Sequence, residues 1–419
     1  MTQRYSTYKE SGVQWLGEIP GHWGLVRVKA LLNERTEKSK TGTGEPLSMS
    51  QKYGIIPTKD MDIVPNAASS YVGAKNVYAG DIVFNKLKAH LGVFAISQYD
   101  GLVSPDYAVY CSKGLSDKRY IEYQFHTPLY IQEFKRHATG VAIGLTRLYT
   151  NQLYAIQSIY PPLEEQRAIV TYLDDKCGKI DKLVEGKQKQ IELLAEMKQR
   201  IIADAVTQGL NPNVTMKATN IPWLKEIPEH WEMRKMKYIF DERSEKNHPD
   251  EPMLSATQSE GVILQSKYQG RVVVVNTGFE GLKLVKVGDF VIHLRSFQGG
   301  IEYAYDQGII SSAYTILNPK YPEFSAYYKK LFKSSAFIDL LKICVTGIRE
   351  GQNINYSKLK QFYIPLPPLP EQRAIVTYLD DKCSKIDLLV EKLKAEIDAI
   401  KEYKQRLISD VVTGQIKVC

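Results

Sequence analysis

The chain has 419 residues, 43% of them apolar, and 55 Lys and Arg against 47 Asp and Glu give it a net charge of +8. That apolar share is enough to bury cores, and no long uncharged apolar run is present to span a membrane, so neither a membrane protein nor a membrane partner is expected. Five scattered cysteines, Cys111, Cys177, Cys344, Cys383 and Cys419, show neither CxxC nor zinc-ligand spacing, which reads as reduced thiols and no metal site.

The first ten residues, MTQRYSTYKE, lack the apolar stretch of a signal peptide. Trp15 to Trp23 then reads WLGEIPGHW, and the element returns at Trp223 to Trp231 as WLKEIPEHW, so all four tryptophans belong to one duplicated element. His22 and His230 sit inside it without a second ligand at useful spacing and read as packing residues. Two copies of a whole module follow, each in the order tryptophan element, variable middle, TG loop, PPL element, long helix. A repeat of this length is too long for a solenoid, whose units run about 20 to 50 residues, and suits two domains of ordinary size.

The middles, about Gly24 to Gly140 and Glu232 to Gly347, agree mainly at frame positions such as Gly80-Asp81-Ile82-Val83 and Gly288-Asp289-Phe290-Val291. Ile82 to Phe84 and Val272 to Val275 read as buried strands. Lys118 to Arg136 and Glu323 to Lys342 have helical spacing. Tyr107 and Tyr314 stand at equivalent strand positions and read as core.

Pro161 to Cys177 reads PPLEEQRAIVTYLDDKC and Pro367 to Cys383 reads PPLPEQRAIVTYLDDKC, identical at 16 of 17 positions. Each opens a long helix with apolar residues at spacings of three and four, the mark of a coiled-coil seam: Ile180, Val184, Ile191, Leu194 and Ile201 in the first, Ile386, Val390, Leu393, Ile397, Ile400 and Leu407 in the second. Cys177 and Cys383 occupy equivalent positions and read as core. Lys198 and Lys404 interrupt the seams at equivalent places, where a lysine specifies register or leaves room for a partner. A helix of about 40 residues runs roughly 60 Å, more than one domain needs for its own core, so the two are expected to pair. Parallel and antiparallel pairings are both open, and a similar module on each helix favours antiparallel. Gly209 to Asn220 is the linker that stops the first helix. The domains expected are 1–160, a helix at 161–208, a linker at 209–222, a second domain at 223–366 and a second helix at 367–419.

Each helix carries one net negative charge, which leaves +10 on the remainder. Such a surface suits phosphate binding. No Walker A loop is present to cradle phosphates. Asn211-Pro212-Asn213 and Asn318-Pro319-Lys320 do not make the Asn-Pro-Pro-aromatic segment with which adenine methylases grip a flipped base. The paired acids Asp174-Asp175 and Asp380-Asp381 lie beside the seams and read as solvated helix surface or subunit contact.

This order of elements, occurring twice across essentially the whole chain, closely resembles the DNA specificity subunit of type I restriction-modification systems. The resemblance implies a mixed fold, α+β or α/β: two globular target-recognition domains in pseudo-twofold tandem, joined by two long helices packed as an antiparallel coiled coil. It implies a prokaryotic, cytoplasmic, non-catalytic subunit whose domains each read one half of a split sequence in double-stranded DNA. The helices would set the half-site spacing and dock two methyltransferase subunits, with two restriction subunits joining them. No cofactor is expected on this chain; S-adenosylmethionine, ATP and Mg belong to the partners. A coiled-coil scaffold with two protein-binding heads is the alternative, but it leaves unexplained why the heads share a frame and differ in polar loops.

Reading sequence requires donors and acceptors held to base edges: Arg or Lys for guanine, Asn or Gln for adenine, hydroxyls for either. In the first middle the candidates are Ser48, Gln51 and Lys52 of LSMSQKYG, and Lys86, Lys88 and His90 after the GDIVF strand. In the second they are Gln258 and Ser259 of SATQSEG, then Lys267, and Arg295, Ser296 and Gln298 after GDFVI. The TG loops add Thr139, Gly140, Arg147 and Tyr149, and Thr346, Gly347, Arg349, Gln352, Asn353 and Tyr356. The two sets differ, as two unlike half-sites would require.

Overall fold

The computed structural model describes residues 3–63, 70–140, 146–270, 278–346 and 353–418. The expected Val272–Val275 strand lies outside the described residues. The chain divides into two compact units, Met1–Lys187 with Ala395–Cys419, and Gln188–Lys394.

In the first unit a four-stranded antiparallel sheet has the order Leu32–Glu34, Tyr107–Ser112, Ile82–Asn85, Phe94–Ile96. Successive side chains of a strand point to opposite faces. Ile82, Phe84, Ala108 and Tyr110 accordingly join Phe125, Tyr130 and Phe134 in the main core. Val83 and Val109 join a smaller cluster with Leu47, Met49, Ile55 and Val77. A sheet covered on both faces explains the unbroken apolar run Ile82-Val83-Phe84. Tyr107 is only half-buried, packed against the smaller cluster.

The helix expected from Lys118 to Arg136 is two helices, Lys118–Phe125 and Pro128–His137. Pro128 brings no N–H to the first helix and suits the first turn of the second, which Thr127 caps by accepting from the Tyr130 amide. The second unit repeats the arrangement with Ser325–Leu331 and Ser335–Ile343, capped by Ser334. Its sheet has the order Phe240–Arg243, Thr315–Pro319, Phe290–Ile292, Glu302–Tyr303, again antiparallel, so the sheets are of α+β rather than parallel α/β type. Phe240, Phe290 and Leu317 enter the main core and Val291 and Ile316 a smaller one, against which Tyr314 packs half-buried.

The long helices span Leu163–Gln208 and Leu369–Val412. In the first unit Ile169, Leu173 and Cys177 share the core with Leu407, Ile408 and Val411. Asp181 pairs with Lys404 and, six residues on, Lys187 pairs with Glu396, eight residues back, so the two segments run antiparallel. In the second unit Ile202, Ala205 and Val206 share a core with Ile375, Leu379 and Cys383, and Lys198 pairs with Asp387. Of the expected seam residues, Ile386, Leu393, Ile397 and Leu407 are buried, while Ile180, Val184, Ile191, Leu194, Ile201, Val390 and Ile400 are half-buried. Neither seam lysine stands free, since each ammonium meets an aspartate.

Candidate nucleic-acid interface

The residues that repeat between the copies build a frame. In the first unit the Glu165 carboxylate, from the PPL element, accepts from Trp23 Nε1 at 3.0 Å and Tyr5 OH at 2.9 Å and bonds His22 Nε2 at 2.6 Å. In the second, Glu371 accepts from Trp231 Nε1 at 2.7 Å and bonds His230 Nε2 at 2.5 Å. The neighbouring glutamines turn the chain into the helix: Gln166 donates to the Pro161 carbonyl at 2.8 Å and Gln372 to that of Pro367 at 2.7 Å. Burial raises the Glu165 pKa, but the hydrogen bonds from Trp23, His22 and Tyr5 outweigh it and hold the carboxyl below its ordinary value. The two histidines, expected as packing residues, are instead exposed and held by the PPL glutamate.

The Gly-Asp frame works in the same way. Asp81 takes the Arg35 guanidinium bidentately at 2.8 and 3.1 Å and the Tyr78 amide at 3.0 Å. Asp289 takes Arg243 at 2.8 and 3.2 Å and the Lys286 amide at 2.8 Å. Sequence reasoning missed both arginines. Their signal was the recurrence of Glu-Arg with Glu and Lys two and three residues on, Glu34-Arg35-Thr36-Glu37-Lys38 against Glu242-Arg243-Ser244-Glu245-Lys246. Asp174 and Asp380 are likewise internal ties as well as exposed helix positions. Asp174 accepts from Arg119 at 2.7 Å and Tyr123 at 2.5 Å, and Asp380 from Lys330 at 2.5 Å.

On this frame the polar loops diverge. In the first unit Gln51 donates to the Leu91 carbonyl at 2.5 Å, which ties the Ser50–Tyr53 turn to the loop carrying Lys86, Lys88 and His90. Lys86 donates to the Pro105 carbonyl at 3.4 Å, and its own carbonyl accepts from the Leu148 amide at 3.0 Å. Arg147 reaches Asp106 at 3.6 Å, and Thr139 and Arg147 exchange two backbone hydrogen bonds, which close the stem of the TG loop. Gln51, Lys86, Thr139 and Arg147 thus belong to one linked group of loops. Burial, with Lys75 nearby, pulls the Lys86 pKa below its ordinary value. Lys88, Gly140 and Tyr149 are exposed beside this group. His90 is half-buried with Nδ1 unpartnered. Ser48 spends its hydroxyl on Thr58 at 2.8 Å, and Lys52 turns to Asp62 at 3.0 Å.

In the second unit the Gln258 side chain lies against Gly299, so the Gln258–Ser259 turn adjoins the helical turn Ser296–Gly299, with Arg295 at its N-cap. Gln258, Ser259, Arg295 and Gln298 are exposed. Ser296 is not available to DNA. It is fully buried, and its hydroxyl accepts from the His293 amide at 2.9 Å, which fixes the turn. Lys267 is held by Asp306 at 2.9 Å. Thr346 and Asn353 are exposed and face each other across a two-residue ladder. Tyr356 is half-buried, and burial pushes its phenol up to about 12. Gly347, Arg349 and Gln352 lie outside the described residues. Among the described residues no cluster of His, Cys, Asp or Glu could hold a metal ion, and no helix is long and apolar enough to cross a membrane.

The family model of the type I restriction modification DNA specificity domain matches the chain twice, at residues 22–193 and 224–399. Two curated relatives come from Methanocaldococcus jannaschii. One, named as the MjaX type I restriction enzyme specificity subunit, is 26% identical over 98% of both chains. The other, the MjaVIII specificity subunit, is 26% identical over 73% of this chain and 71% of its own length. Among solved structures, a chain from work on complex assembly and conformational transition of the type I restriction-modification system superposes with a TM-score of 0.66, at 15% identity, over 94% of this chain and 98% of its own. The HsdS subunit from Thermoanaerobacter tengcongensis gives 0.50 at 17% identity, over 95% and 98%. At these identities the structures speak for the fold alone.

Proposed function

The chain belongs to the type I restriction-modification DNA specificity family, as a specificity subunit with two tandem DNA specificity domains, and on that premise we propose that each domain reads one half of a bipartite, asymmetric sequence in double-stranded DNA. One observation supports this above the others. The same frame, Arg35 with Asp81 and Arg243 with Asp289, carries unlike groups of exposed polar side chains in the two units. An identical pair of heads would read a palindrome. Shared framing with divergent donors suits two different half-sites, with arginine and glutamine reading base edges and lysines contacting phosphate.

The long helices set the spacing between the half-sites and dock two methyltransferase subunits. Exposed apolar side chains on them, Leu183, Leu193, Met197, Leu388, Leu389 and Tyr403, are the candidates for that contact. Methyl transfer from S-adenosylmethionine to adenine belongs to those partners. ATP- and Mg-dependent translocation and cleavage belong to two restriction subunits, and the assembly works in the prokaryotic cytoplasm. The domain limits expected from the sequence, 1–160 and 223–366 for reading with helical segments at 161–208 and 367–419 and a linker at 209–222, suit this division, although the helices themselves span Leu163–Gln208 and Leu369–Val412 and the expected linker holds the strand Met216–Ile221, paired with Leu224–Pro228.

The test is to co-express the chain with its modification subunit and map methylated adenines by single-molecule sequencing. A split motif with one modified adenine per half is expected. An assembled, active complex that leaves no motif would sink the proposal.

A further inference from the structure

We infer that Lys333 is a positioning residue for the recognition loops of the second unit, acting with the buried carboxylate of Glu302; the inference rests on those loops reading DNA. Lys333 follows the helix Ser325–Leu331 and is only partly exposed. Its ammonium has three donors and uses each on a different segment. One reaches the Gln258 carbonyl in the Gln258–Ser259 turn at 3.2 Å, one the Gly299 carbonyl at the end of the Arg295 turn at 3.0 Å, and one Glu302 Oε1 at 2.5 Å. The two loops that carry Gln258, Arg295 and Gln298 are thereby fastened to one point.

Glu302 anchors that point. Its side chain is fully buried and its second oxygen, Oε2, has no hydrogen-bond partner, so among the described residues Lys333 is its one short ion pair. A buried carboxylate stripped of its cation is strongly penalised, which fixes the ammonium in place. His293 extends the arrangement toward the reading face. It lies 3.7 Å from Glu302 Oε1, and its Nδ1 accepts from the Arg295 amide at 3.2 Å, which orients the residue expected to reach a base. Close packing reinforces the clamp. Gly300 has φ +87°, and a Cβ there would collide with the Phe332 carbonyl, one residue before Lys333.

The first unit is built otherwise. Strand register and the shared Phe-x-Thr/Ser step place Ala95, Asn85 and His126 where the second unit has Glu302, His293 and Lys333. There Asn85 accepts from the Leu87 amide at 3.1 Å and His126 stacks on Phe94 at 4.1 Å, with no buried ion pair at these three positions. The clamp therefore belongs to one half-site.

The experiment maps methylation by the full complex carrying Lys333→Met, and carrying Lys333→Met with Glu302→Leu. The double variant removes the pair without leaving an orphan charge, so it keeps the proposal testable if the single variant folds poorly. Both are expected to methylate sites degenerate in one half roughly tenfold more, relative to the full motif, with the other half unchanged. The double variant should recover most of the thermal midpoint and not the selectivity. If the wild type yields a split motif and the double variant keeps full selectivity, the pair is only structural and the inference is overturned. If the wild type yields no split motif, the reading of the heads fails first and the clamp falls with it.

Discussion

Asp181 on the first long helix holds the Lys404 ammonium of the second with both carboxylate oxygens, at 2.6 and 2.8 Å. The equivalent residues repeat the pair with the roles of the helices exchanged: Lys198 from the first helix and Asp387 from the second, at 2.6 and 2.7 Å. A lysine in an apolar seam is costly alone, and the aspartate makes one alignment of the two segments preferable to its neighbours by a turn.

That pairing predicts a charge-swap result. Lys404→Glu sets like charges against Asp181 and should lower the thermal midpoint by a few degrees, whereas Asp181→Lys with Lys404→Glu should recover most of it. The aspartate is well exposed, so simple loss by Lys404→Met should cost under about 1 kcal/mol. Thermal unfolding of the three variants beside the wild type decides it; equal losses in the swapped and single variants would show that packing alone sets the register.

The Glu165 carboxylate gives a pH dependence. Its pKa is lowered in the folded protein, by donors that outweigh burial. The stability it contributes is therefore present above the unfolded value of about 4.3 and is lost as pH falls through the lower folded value. Glu165→Gln should lower the midpoint at pH 7 and flatten its fall in the acid range. Replacement by alanine, which leaves the Trp23 indole without its acceptor, should cost about 2–3 kcal/mol. A Glu165→Gln protein with the wild-type acid profile would exclude this carboxylate as the titrating group.

These contacts mark the limit of what the sequence disclosed. Local regularities were legible: the doubled Trp-Trp and PPL elements, the spacing of Ile386, Leu393 and Ile397, and the apolar run Ile82-Val83-Phe84. What joins residues far apart was not. Nothing near His22 points to Glu165, 143 residues away, and Arg35 finds Asp81 only once both strands stand in one sheet. In the proposed reading face, residue type alone cannot separate Arg295, exposed at the N-cap of its turn, from its neighbour Ser296, whose hydroxyl is used internally. The break at Pro128 was legible in principle, because proline opens a helix more readily than it continues one.

At that face, Arg295→Ala should relax one position of one half-site and cost about 1–3 kcal/mol of discrimination there. Lys88→Ala should instead weaken binding across all sequences and lower the slope of log affinity against log salt by about 1. Fluorescence anisotropy with the full motif and single-base variants at several salt concentrations separates the two. Relaxation of both half-sites by Arg295→Ala would contradict independent heads.

The helices carry two kinds of apolar residue, and they should fail in different ways. Ile397 is 5% exposed, so Ile397→Asp forces a carboxylate into the apolar seam and should cost more than about 3 kcal/mol, unfolding that stretch and abolishing assembly as a consequence. Leu388 is 73% exposed, and aspartate there should leave the unfolding free energy within about 0.5 kcal/mol of wild type, as for most surface changes. If the exposed leucines receive the methyltransferase, Leu388→Asp should nonetheless weaken co-purification of that subunit while specific DNA binding by the chain persists. A Leu388→Asp complex that assembles at full stoichiometry and affinity would move the docking surface away from this helix face, because no loss of fold could then be masking the contact.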